Sequence, residues 1–330
     1  MPESLISYYL IDDSILSVFK NLVQKNYRFV ILPHTKADGD ALGSAFGLKH
    51  FLEGLGKIAE IVCVDEPFCV RKEFLGFRIR EASFDPEVII SVDTASLDRL
   101  YFPQEWAGKP FINIDHHKSN PLFGSINIVD GSAPSNAEML AAILIKCFGL
   151  SKLGKECCDA FLYGIISDTI TFRTGATSAA TLKVAAALIE QGELDFYKIK
   201  RSEKIKQSPE LFRIWNERIG SGLFDFEDRV FFVFITNEFF LKTGLSAKDF
   251  DGLSNFLSQN LDVEIVVYVR EDSPGEFKVS LRSEVYDLRI LTSKFGGGGH
   301  AAAAGVTLFR TTKDDVISLL RAEFVNIYNL

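Results

Sequence analysis

The chain has little that would support zinc-finger, disulfide or membrane chemistry. Its five cysteines are odd in number, and none shows the Cys-x-x-Cys spacing of a zinc site. Buried free thiols in a reducing compartment are therefore expected. No apolar run approaches the roughly 18 residues of a membrane span, and the N-terminus lacks the basic segment of a signal peptide. These absences predict a cytoplasmic protein with no membrane partner.

The chain also lacks an excess of basic residues. Its 36 lysines and arginines stand against 44 aspartates and glutamates, which gives a formal net charge of −8. A surface for duplex nucleic acid needs a basic face, so stable duplex binding is not expected. The charge is compatible with a small phosphorylated substrate held in a local basic pocket.

Apolar runs alternate with helical periods in the first part of the chain. Four runs predict buried strands at 29–33, 58–64, 88–92 and 111–114, with a helix over 41–53 and a mostly helical pattern over 138–191. Continuous apolar strands separated by helices indicate an α/β fold with a parallel sheet and helices on both faces.

The last third of the chain changes character. Strands rich in β-branched and aromatic residues are predicted at 230–235, 263–270 and 277–282, the last two joined by a turn at 273–275, with helices over 247–259 and 312–328. This pattern indicates a smaller mixed α/β domain over 223–330. The charge-rich residues 192–222 are interpreted as a partly helical linker, which leaves 1–191 as the first domain.

Histidine is scarce, and three of the five histidines accompany aspartates. The set comprises His34, Asp38, Asp40, Asp93, Asp115, His116, His117 and, in the later helical stretch, Asp168. Most of these residues follow predicted strands, and ligands of open parallel sheets bind at the carboxyl ends of strands. Separate segments would therefore aim their side chains at one rim. A helix cap is the alternative for Asp40 alone.

Carboxylates and neutral imidazoles without thiolates suit Mn²⁺, Mg²⁺ or Fe²⁺ better than structural zinc. The number of groups is sufficient for two ions, which in such sites lie about 3.5–4 Å apart. Hydrolysis at phosphorus is the chemistry that uses such a pair, because two ions activate water and offset charge on the phosphoryl oxygens.

The DHH phosphoesterase superfamily has a series of motifs that this chain resembles in order. They are matched by His34-x-x-x-Asp38-x-Asp40, Asp93-Thr94, Asp115-His116-His117 and Ser167-Asp168-Thr169. The glycine-rich motif of the DHH-associated C-terminal domain resembles Phe295-Gly-Gly-Gly-Gly-His300-x-x-Ala-Ala-Gly305. Together the motifs span nearly the whole chain. Ala37 stands where the family usually has proline, which removes no ligand.

The resemblance implies ligands for two divalent ions. The first ion would be held by His34, Asp38 and Asp93, and the second by Asp40, Asp93, His116 and Asp168, so that Asp93 bridges them. The catalytic residues would be Asp93, His116 and His117, with His117 facing the substrate phosphate. Mn²⁺ is the expected ion, with Mg²⁺, Co²⁺ or Fe²⁺ as alternatives.

The glycine-rich stretch is the second candidate site. Successive glycines let backbone N–H groups approach an anion, and a histidine can add a hydrogen bond or positive charge. A flexible turn into the following alanines is the alternative. With the family match, the predicted substrate contacts are Gly297, Gly298, Gly299, His300 and Arg282, whose planar fork suits a terminal phosphate.

A cleft between the two domains is expected. Weaker candidates for its lining are Arg173 and the segment Ser135-Asn136-Ala137-Glu138, in which Asn136 is predicted as a helix cap. His50 is interpreted as structural.

The size and the C-terminal motif are similar to those of the stand-alone oligoribonuclease type of this superfamily. The resemblance implies hydrolysis of short single-stranded RNA and linear dinucleotides such as pGpG and pApA to 5′-mononucleotides, and conversion of 3′-phosphoadenosine 5′-phosphate to AMP. A RecJ-type single-strand exonuclease, a cyclic-dinucleotide phosphodiesterase and a family II inorganic pyrophosphatase are the alternatives. A non-catalytic nucleotide-binding module is disfavoured because every expected metal position is filled. A homodimer is expected from the family alone.

Overall fold

Two six-stranded sheets organise the chain. The computed structural model describes residues 7–67, 71, 74, 76–203 and 208–330. The chain divides into two compact units, Met1–Ile205 and Lys206–Leu330. Cys69 and residues 204–207 of the predicted linker lie outside the described residues.

The first unit alternates helices and strands. In order they are α1 (Asp13–Lys25), β1 (Arg28–Pro33), α2 (Gly39–Gly54), β2 (Ile58–Cys63), β3 (Phe77–Ile79), β4 (Val88–Val92), β5 (Phe111–Asp115), β6 (Ile126–Val129), α3 (Asn136–Phe148), α4 (Lys155–Asp168), α5 (Ala179–Gly192) and α6 (Phe196–Glu203). The sheet order is β3-β2-β1-β4-β5-β6, and every pair is parallel. The predicted α/β class with a parallel sheet is confirmed.

Both faces of the central strand β1 are buried, in different cores. Phe29 and Ile31 pack against the helices in the larger core, whereas Val30 and Leu32 face a smaller core that includes Trp106. The second face is covered largely by the β4–β5 connection, which contains two single helical turns. Burial on both sides explains why the β1 sequence is apolar without alternation.

Close packing between α2 and α4 brings distant parts of the chain together. Gly39, Gly43 and Gly47 recur every four residues and so share one face of α2. A Cβ atom on Gly43 would lie 2.7 Å from backbone atoms of Gly164 in α4, and one on Gly39 would lie 2.2 Å from Ser167 Oγ. The glycines therefore allow the start of α2 to meet the end of α4.

The second unit contains a mixed sheet. Its elements are α7 (Pro209–Gly220), β7 (Leu223–Asp225), β8 (Val230–Ile235), α8 (Asn237–Thr243), α9 (Leu253–Asn260), β9 (Ile265–Ser273), β10 (Glu276–Arg282), α10 (Arg289–Ser293), β11 (Gly298–His300), β12 (Ala303–Phe309) and α11 (Lys313–Tyr328). The order is β11-β12-β10-β9-β8-β7, in which β8 and β9 are parallel and the other neighbours antiparallel. One face packs against Leu320 of α11 and the other against Trp215 of α7. The predicted smaller mixed α/β region is confirmed.

Some predicted elements differ from the structure. The helix predicted over 247–259 is wrong in its continuity, because Gly252 has φ +86° and separates a single helical turn from α9. The alanines after His300 do not form a flexible turn alone, since Ala303 begins β12. The sequence pattern does not predict β3, β6, β7, β11 or β12, most of which are short. None of the helices in the described part of the chain is long and apolar enough to cross a membrane.

Candidate metal centre

The predicted acidic and histidine residues meet at the carboxyl edge of the parallel sheet. His34 follows β1, Asp93 follows β4 and Asp115 ends β5. The direction of the strand order reverses between β1 and β4, because β2 lies on one side of β1 and the later strands lie on the other. Ligands of open α/β sheets bind in the crevice at such a switch point.

The first turn of α2 supplies two aspartates with different environments. Asp38 is the N-cap, and its Oδ1 accepts the N–H groups of Asp40 and Ala41, each at 3.1 Å. Asp40 is fully buried, and its carboxylate accepts the N–H groups of Asn136 at 2.6 Å and Ala137 at 2.9 Å. The alternative that Asp40 caps the helix beginning near Ala41 is therefore wrong, because Asp38 is the N-cap of α2, whereas Asp40 accepts the first N–H groups of α3.

Asp93 lies at the centre of the cluster. It is 3% exposed, and its φ of +57° is a left-handed conformation that few non-glycine residues adopt. Its Oδ2 lies 3.6 Å from His34 Nε2, and its Oδ1 lies 3.3 Å from His116 Nε2. Within the described residues, no well-directed hydrogen bond reaches the buried Oδ1. A buried carboxylate oxygen without such a bond is costly, so this atom suits a cation.

Backbone carbonyls hold two of the histidines through Nδ1. His34 Nδ1 lies 2.8 Å from Thr35 O, and His116 Nδ1 lies 3.1 Å from Ala133 O. When Nδ1 donates its proton to a carbonyl, the lone pair stays on Nε2, the atom that faces the carboxylates. The guanidinium of Arg99 lies 2.9 Å from the same His34 Nδ1. The tautomer that leaves Nε2 free for a cation is the one in which Nδ1 donates to the Thr35 carbonyl, and in that tautomer Nδ1 does not accept from Arg99.

His117 is oriented by a polar network. Its Nδ1 lies 2.7 Å from Oδ1 of Asp115, which is fully buried. Asn120 Nδ2 donates to Asp115 Oδ2 at 2.6 Å and also lies 2.7 Å from Asn113 Oδ1. The hydrogen bond that His117 Nδ1 donates to the Asp115 carboxylate raises the pKa of His117. The network therefore favours a cationic imidazole beside the other residues of the cluster.

Three overlapping groups of side chains bring potential ligand atoms within 4.8 Å of one another. They are His34, Asp38 and Asp93; Asp40, His116 and Asp168; and Asp93, His116 and His117. The first group coincides with the residues predicted for the first ion. The second contains the residues predicted for the second ion except Asp93, which lies beside His116. The third shows that His117 is also close enough to take part.

Burial and mutual repulsion oppose full ionisation of these carboxyl groups. Burial raises the pKa of Asp168 to about 7, with His116 opposing the shift and Asp93 adding to it. Burial also raises the pKa values of Asp40 and Asp38, and neighbouring carboxylates add to both shifts. Burial acts on Asp93 in the same direction, but the adjacent imidazoles outweigh it and lower its pKa. A bound divalent cation would relieve this repulsion.

The donor set fits divalent metal ions. Carboxylate oxygens and imidazole nitrogens suit Mn²⁺, Mg²⁺ or Fe²⁺, and none of the described cysteines belongs to the three groups. The buried Asp93 Oδ1 and the crowded carboxylates are features that a cation would satisfy. The residues that could hold metal are thus the six predicted ligands and His117; the six are His34, Asp38, Asp40, Asp93, His116 and Asp168.

Arg282 is the main predicted substrate residue of the second unit. It ends β10 and is half-buried. Its Nε donates to Asn255 Oδ1 at 2.6 Å and its Nη1 donates to Leu281 O at 2.8 Å. Among the described residues, no carboxylate lies within ion-pair distance of its guanidinium, and burial lowers its pKa. A half-buried cation held by neutral oxygens suits an anionic ligand.

The glycine-rich stretch forms an edge strand rather than an open loop. Gly298, Gly299 and His300 pair with β12, which places His300 opposite Ala303 and Ala303 opposite Arg282. A Cβ atom on Gly299, whose φ is +135°, would lie 2.4 Å from Ala303 O, and one on Gly297 would lie 2.3 Å from Gly305 O. Gly298 has open space around its Cβ position. Packing therefore requires two of these glycines but not Gly298.

The structure corrects the predicted role of Asn136, and the roles of Arg173 and His50 stay predictions. Asn136 is not the cap of α3, because Ser135 accepts the Glu138 N–H at 3.1 Å and Asn136 donates to Ser44 Oγ at 2.9 Å. Arg173 lies on the loop after α4, and His50 lies on α2 with its Nδ1 3.6 Å from Glu53 Oε2.

Sequence reasoning gives no role to Asn120 or Tyr9, although both contact residues that surround the centre. Asn120 had a usable signal, since it lies three residues after His117 in a short polar loop. Tyr9 had none, because its partner Glu138 is 129 positions away.

Comparison with known proteins agrees with the two-part organisation. The DHH family, N-terminal domain, matches residues 28–165, and the DHHA1 domain matches residues 228–326. The bifunctional oligoribonuclease and PAP phosphatase NrnA of Thermus thermophilus is 31% identical over 84% of this chain and 83% of that protein. The protein of the same name from Bacillus subtilis is 27% identical over 86% of this chain and 90% of that protein.

A solved structure shows the same fold over nearly the full length. It is an exopolyphosphatase-related protein from Bacteroides fragilis, with a TM-score of 0.86, 21% sequence identity, and coverage of 97% of this chain and 99% of that chain. Fold and motifs together define a two-domain phosphoesterase with an aspartate- and histidine-rich centre. The chain belongs to the DHH family, and within it the chain is similar to proteins named NrnA.

Proposed function

We propose that the chain hydrolyses short single-stranded oligoribonucleotides and linear dinucleotides to 5′-mononucleotides, and that it also converts 3′-phosphoadenosine 5′-phosphate to AMP. The observation that carries the proposal is the buried Asp93, whose two oxygens face His34 on one side and His116 on the other. The substrate class comes from the relatives, which are named bifunctional oligoribonuclease and PAP phosphatase.

In this proposal two divalent ions, with Mn²⁺ expected, bind in the centre. One would be held by His34, Asp38 and Asp93, and the other by Asp40, Asp93, His116 and Asp168. What a pair of ions supplies in such a site is activation of water and neutralisation of charge on the phosphoryl oxygens. Asp93 contributes a carboxylate that is already buried and lies between the two ligand groups.

His117 would act on the substrate phosphate directly. Asp115 fixes the ring through Nδ1, so Nε2 is the atom that would donate a hydrogen bond to a phosphate oxygen. Thus Asp115 and Asn120 would keep this donor in a fixed direction.

The second unit would bind a terminal phosphate of the substrate. Arg282 uses one hydrogen bond to Asn255 and one to Leu281 O, which leaves donors of its fork for an anion. As an edge strand, β11 has N–H groups on the side away from β12, and Gly298 adds no side chain there. These features support Arg282 and Gly298 as substrate contacts, and Gly297, Gly299 and His300 stay predictions of the family resemblance.

A cytoplasmic location is part of the proposal. The four described cysteines are buried and free, which fits a reducing compartment. The acidic net charge supports small phosphorylated substrates over duplex nucleic acid. A homodimer stays a prediction of the family resemblance.

A hydrolysis panel tests the proposal. Purified protein with Mn²⁺ would be given RNA of increasing length, pApA, 3′-phosphoadenosine 5′-phosphate, cyclic dinucleotides and pyrophosphate. Release of 5′-mononucleotides from the shortest RNA and of AMP from 3′-phosphoadenosine 5′-phosphate is expected. Preferential hydrolysis of pyrophosphate or of cyclic dinucleotides, or no turnover with the metal site filled, would refute it.

A further inference from the structure

One short backbone segment holds two candidate ligands of the second ion. The Ala133 carbonyl accepts a hydrogen bond from His116 Nδ1 at 3.1 Å. The N–H groups of Asn136 and Ala137 donate to Asp40 at 2.6 and 2.9 Å. Outer contacts of this kind fix the direction of a metal ligand. We call residues 130–138 the ligand-holding segment.

Two residues near the N-terminus contact this segment at its two ends. The buried Tyr9 donates its hydroxyl to Oε1 of Glu138, which is fully buried, at 2.6 Å. The Leu10 N–H donates to Asp130 Oδ2, also at 2.6 Å. The Asp130 carbonyl in turn accepts the Ala133 N–H at 3.2 Å. The contact at Leu10 is therefore continuous with the turn that presents the Ala133 carbonyl to His116.

We propose that Tyr9 and Leu10 are positioning residues for the second ion, which they support by holding the ligand-holding segment in place. This inference rests on the proposed function, because it requires an ion at Asp40 and His116. Tyr9 acts through Glu138 and the first turn of α3, whose N–H groups bind Asp40.

The effect should be selective for one ion. If Tyr9 loses its hydroxyl, the buried Glu138 carboxyl keeps its side-chain hydrogen bond with Thr181 but loses the donor on Oε1, and the first turn of α3 should shift to replace that donor. The Asp40 carboxylate would then shift as well, because it accepts both of its hydrogen bonds from N–H groups of that turn. Within the described residues, His34 and Asp38 make no hydrogen bond to the ligand-holding segment. The first ion should therefore be unaffected.

The neighbouring tyrosine provides a matched control. The Tyr8 hydroxyl accepts a hydrogen bond from Lys183 Nζ at 2.6 Å, and the residue is 46% exposed. The substitutions Tyr8→Phe and Tyr9→Phe each remove one hydrogen-bonded hydroxyl from adjacent positions. Of the two, the Tyr9 hydroxyl contacts the ligand-holding segment. Calorimetric titration of the metal-free full chain with Mn²⁺ would report the affinity of each ion.

We expect Tyr9→Phe to lower the affinity for one Mn²⁺ ion by about 3–10-fold. This loss is smaller than the roughly 10–100-fold loss of affinity that is typical when a residue in direct contact with a metal ligand is removed. The other ion should bind as in the wild type, and Tyr8→Phe should leave both unchanged. Unchanged binding in Tyr9→Phe, equal weakening of both ions, or the same loss in Tyr8→Phe would overturn the proposal.

Two further arms keep the test decisive. Wild-type protein that binds two ions but hydrolyses neither RNA nor nucleotide would refute the proposed function and leave the positioning test in place. If Tyr9→Phe does not fold, Glu138→Gln removes the buried charge and gives a second background. The double variant should bind one ion less tightly than Glu138→Gln alone and bind the other ion equally well. Equal affinities for both ions in the single and the double variant would overturn the proposal.

Discussion

The two units present their candidate functional residues in different ways. In the first unit, Asp40, Asp93 and Asp115 are buried at the ends of parallel strands or at helix starts, among neighbours that hold the cluster together. In the second unit, Arg282 ends a strand and Gly298 lies exposed on an edge strand. Metal ions require fixed ligand geometry, whereas the end of a short nucleotide can be held by fewer and more accessible donors.

This difference predicts that substitutions in the two units affect different kinetic constants. Substitutions in the first unit should lower kcat or abolish ion binding. Substitutions in the second unit should raise KM and leave kcat close to that of the wild type. The following variants test that separation.

The largest effect is expected for Asp93→Asn. Asparagine tolerates the left-handed backbone at this position but removes the carboxylate between the two ligand groups. Initial rates with Mn²⁺ should fall by about 10³-fold or more, because both proposed ions would depend on this residue. Asp85→Asn, an exposed carboxylate beside Lys109, is the control and should match the wild type. Turnover of Asp93→Asn within tenfold of the wild type would contradict the assigned bridge.

A smaller loss is expected for Asn120→Ala. Asp115 would lose a donor at 2.6 Å and hold His117 less firmly, so kcat should fall by about tenfold while Mn²⁺ affinity is unchanged. The control is Asn127→Ala, because Asn127 of β6 bonds to the backbone of Gly124, in the bend just before the same strand.

A second measurement separates positioning from stability. In a His117→Ala background, Asn120→Ala should cost little further activity, because its effect acts through that imidazole. Additive losses, or an equal effect of Asn127→Ala, would show that Asn120 supports the fold alone.

In the second unit, Arg282→Gln should raise KM by about tenfold for a dinucleotide with a terminal phosphate, because the bidentate donor is lost. Its kcat should stay near the wild-type value, and a dinucleotide without the terminal phosphate should be little affected. Arg289→Gln is the control, since Arg289 is exposed and paired with Asp287. A fall in kcat with unchanged KM would place Arg282 with the chemistry instead.

The smallest effect on activity is expected for Gly298→Ala. Its Cβ would meet no neighbouring atom, so thermal stability should be unchanged while KM rises a few-fold, on the order of 1 kcal/mol of binding. Gly299→Ala should instead destabilise the unit by about 1–3 kcal/mol, because its Cβ would lie 2.4 Å from Ala303 O. Equal stability losses in both variants would remove the distinction between packing and binding glycines.

Local signals in the sequence predicted the strands and the aspartate and histidine cluster. Strands β1, β4 and β5 are buried on both faces, so their sequences are mostly apolar, with Ser91 and Asn113 as buried exceptions, and the charged residues after them were conspicuous.

Contacts between distant residues could not be predicted in this way. The Tyr9–Glu138 pair and the bonds from α3 to Asp40 join residues about a hundred positions apart or more, and no period or motif encodes such partners. Strand β11 escaped prediction for another reason. Its Gly-Gly-His sequence has no strand propensity, and pairing with β12 determines its conformation.

Calorimetric titration of the metal-free wild-type chain with Mn²⁺, with hydrolysis of pApA followed in the same samples, tests the central claim most directly. The account predicts two ions per chain, hydrolysis that requires both, and loss of that binding in Asp93→Asn. Full hydrolysis with one ion or none, or two ions bound by Asp93→Asn with wild-type affinity, would contradict it.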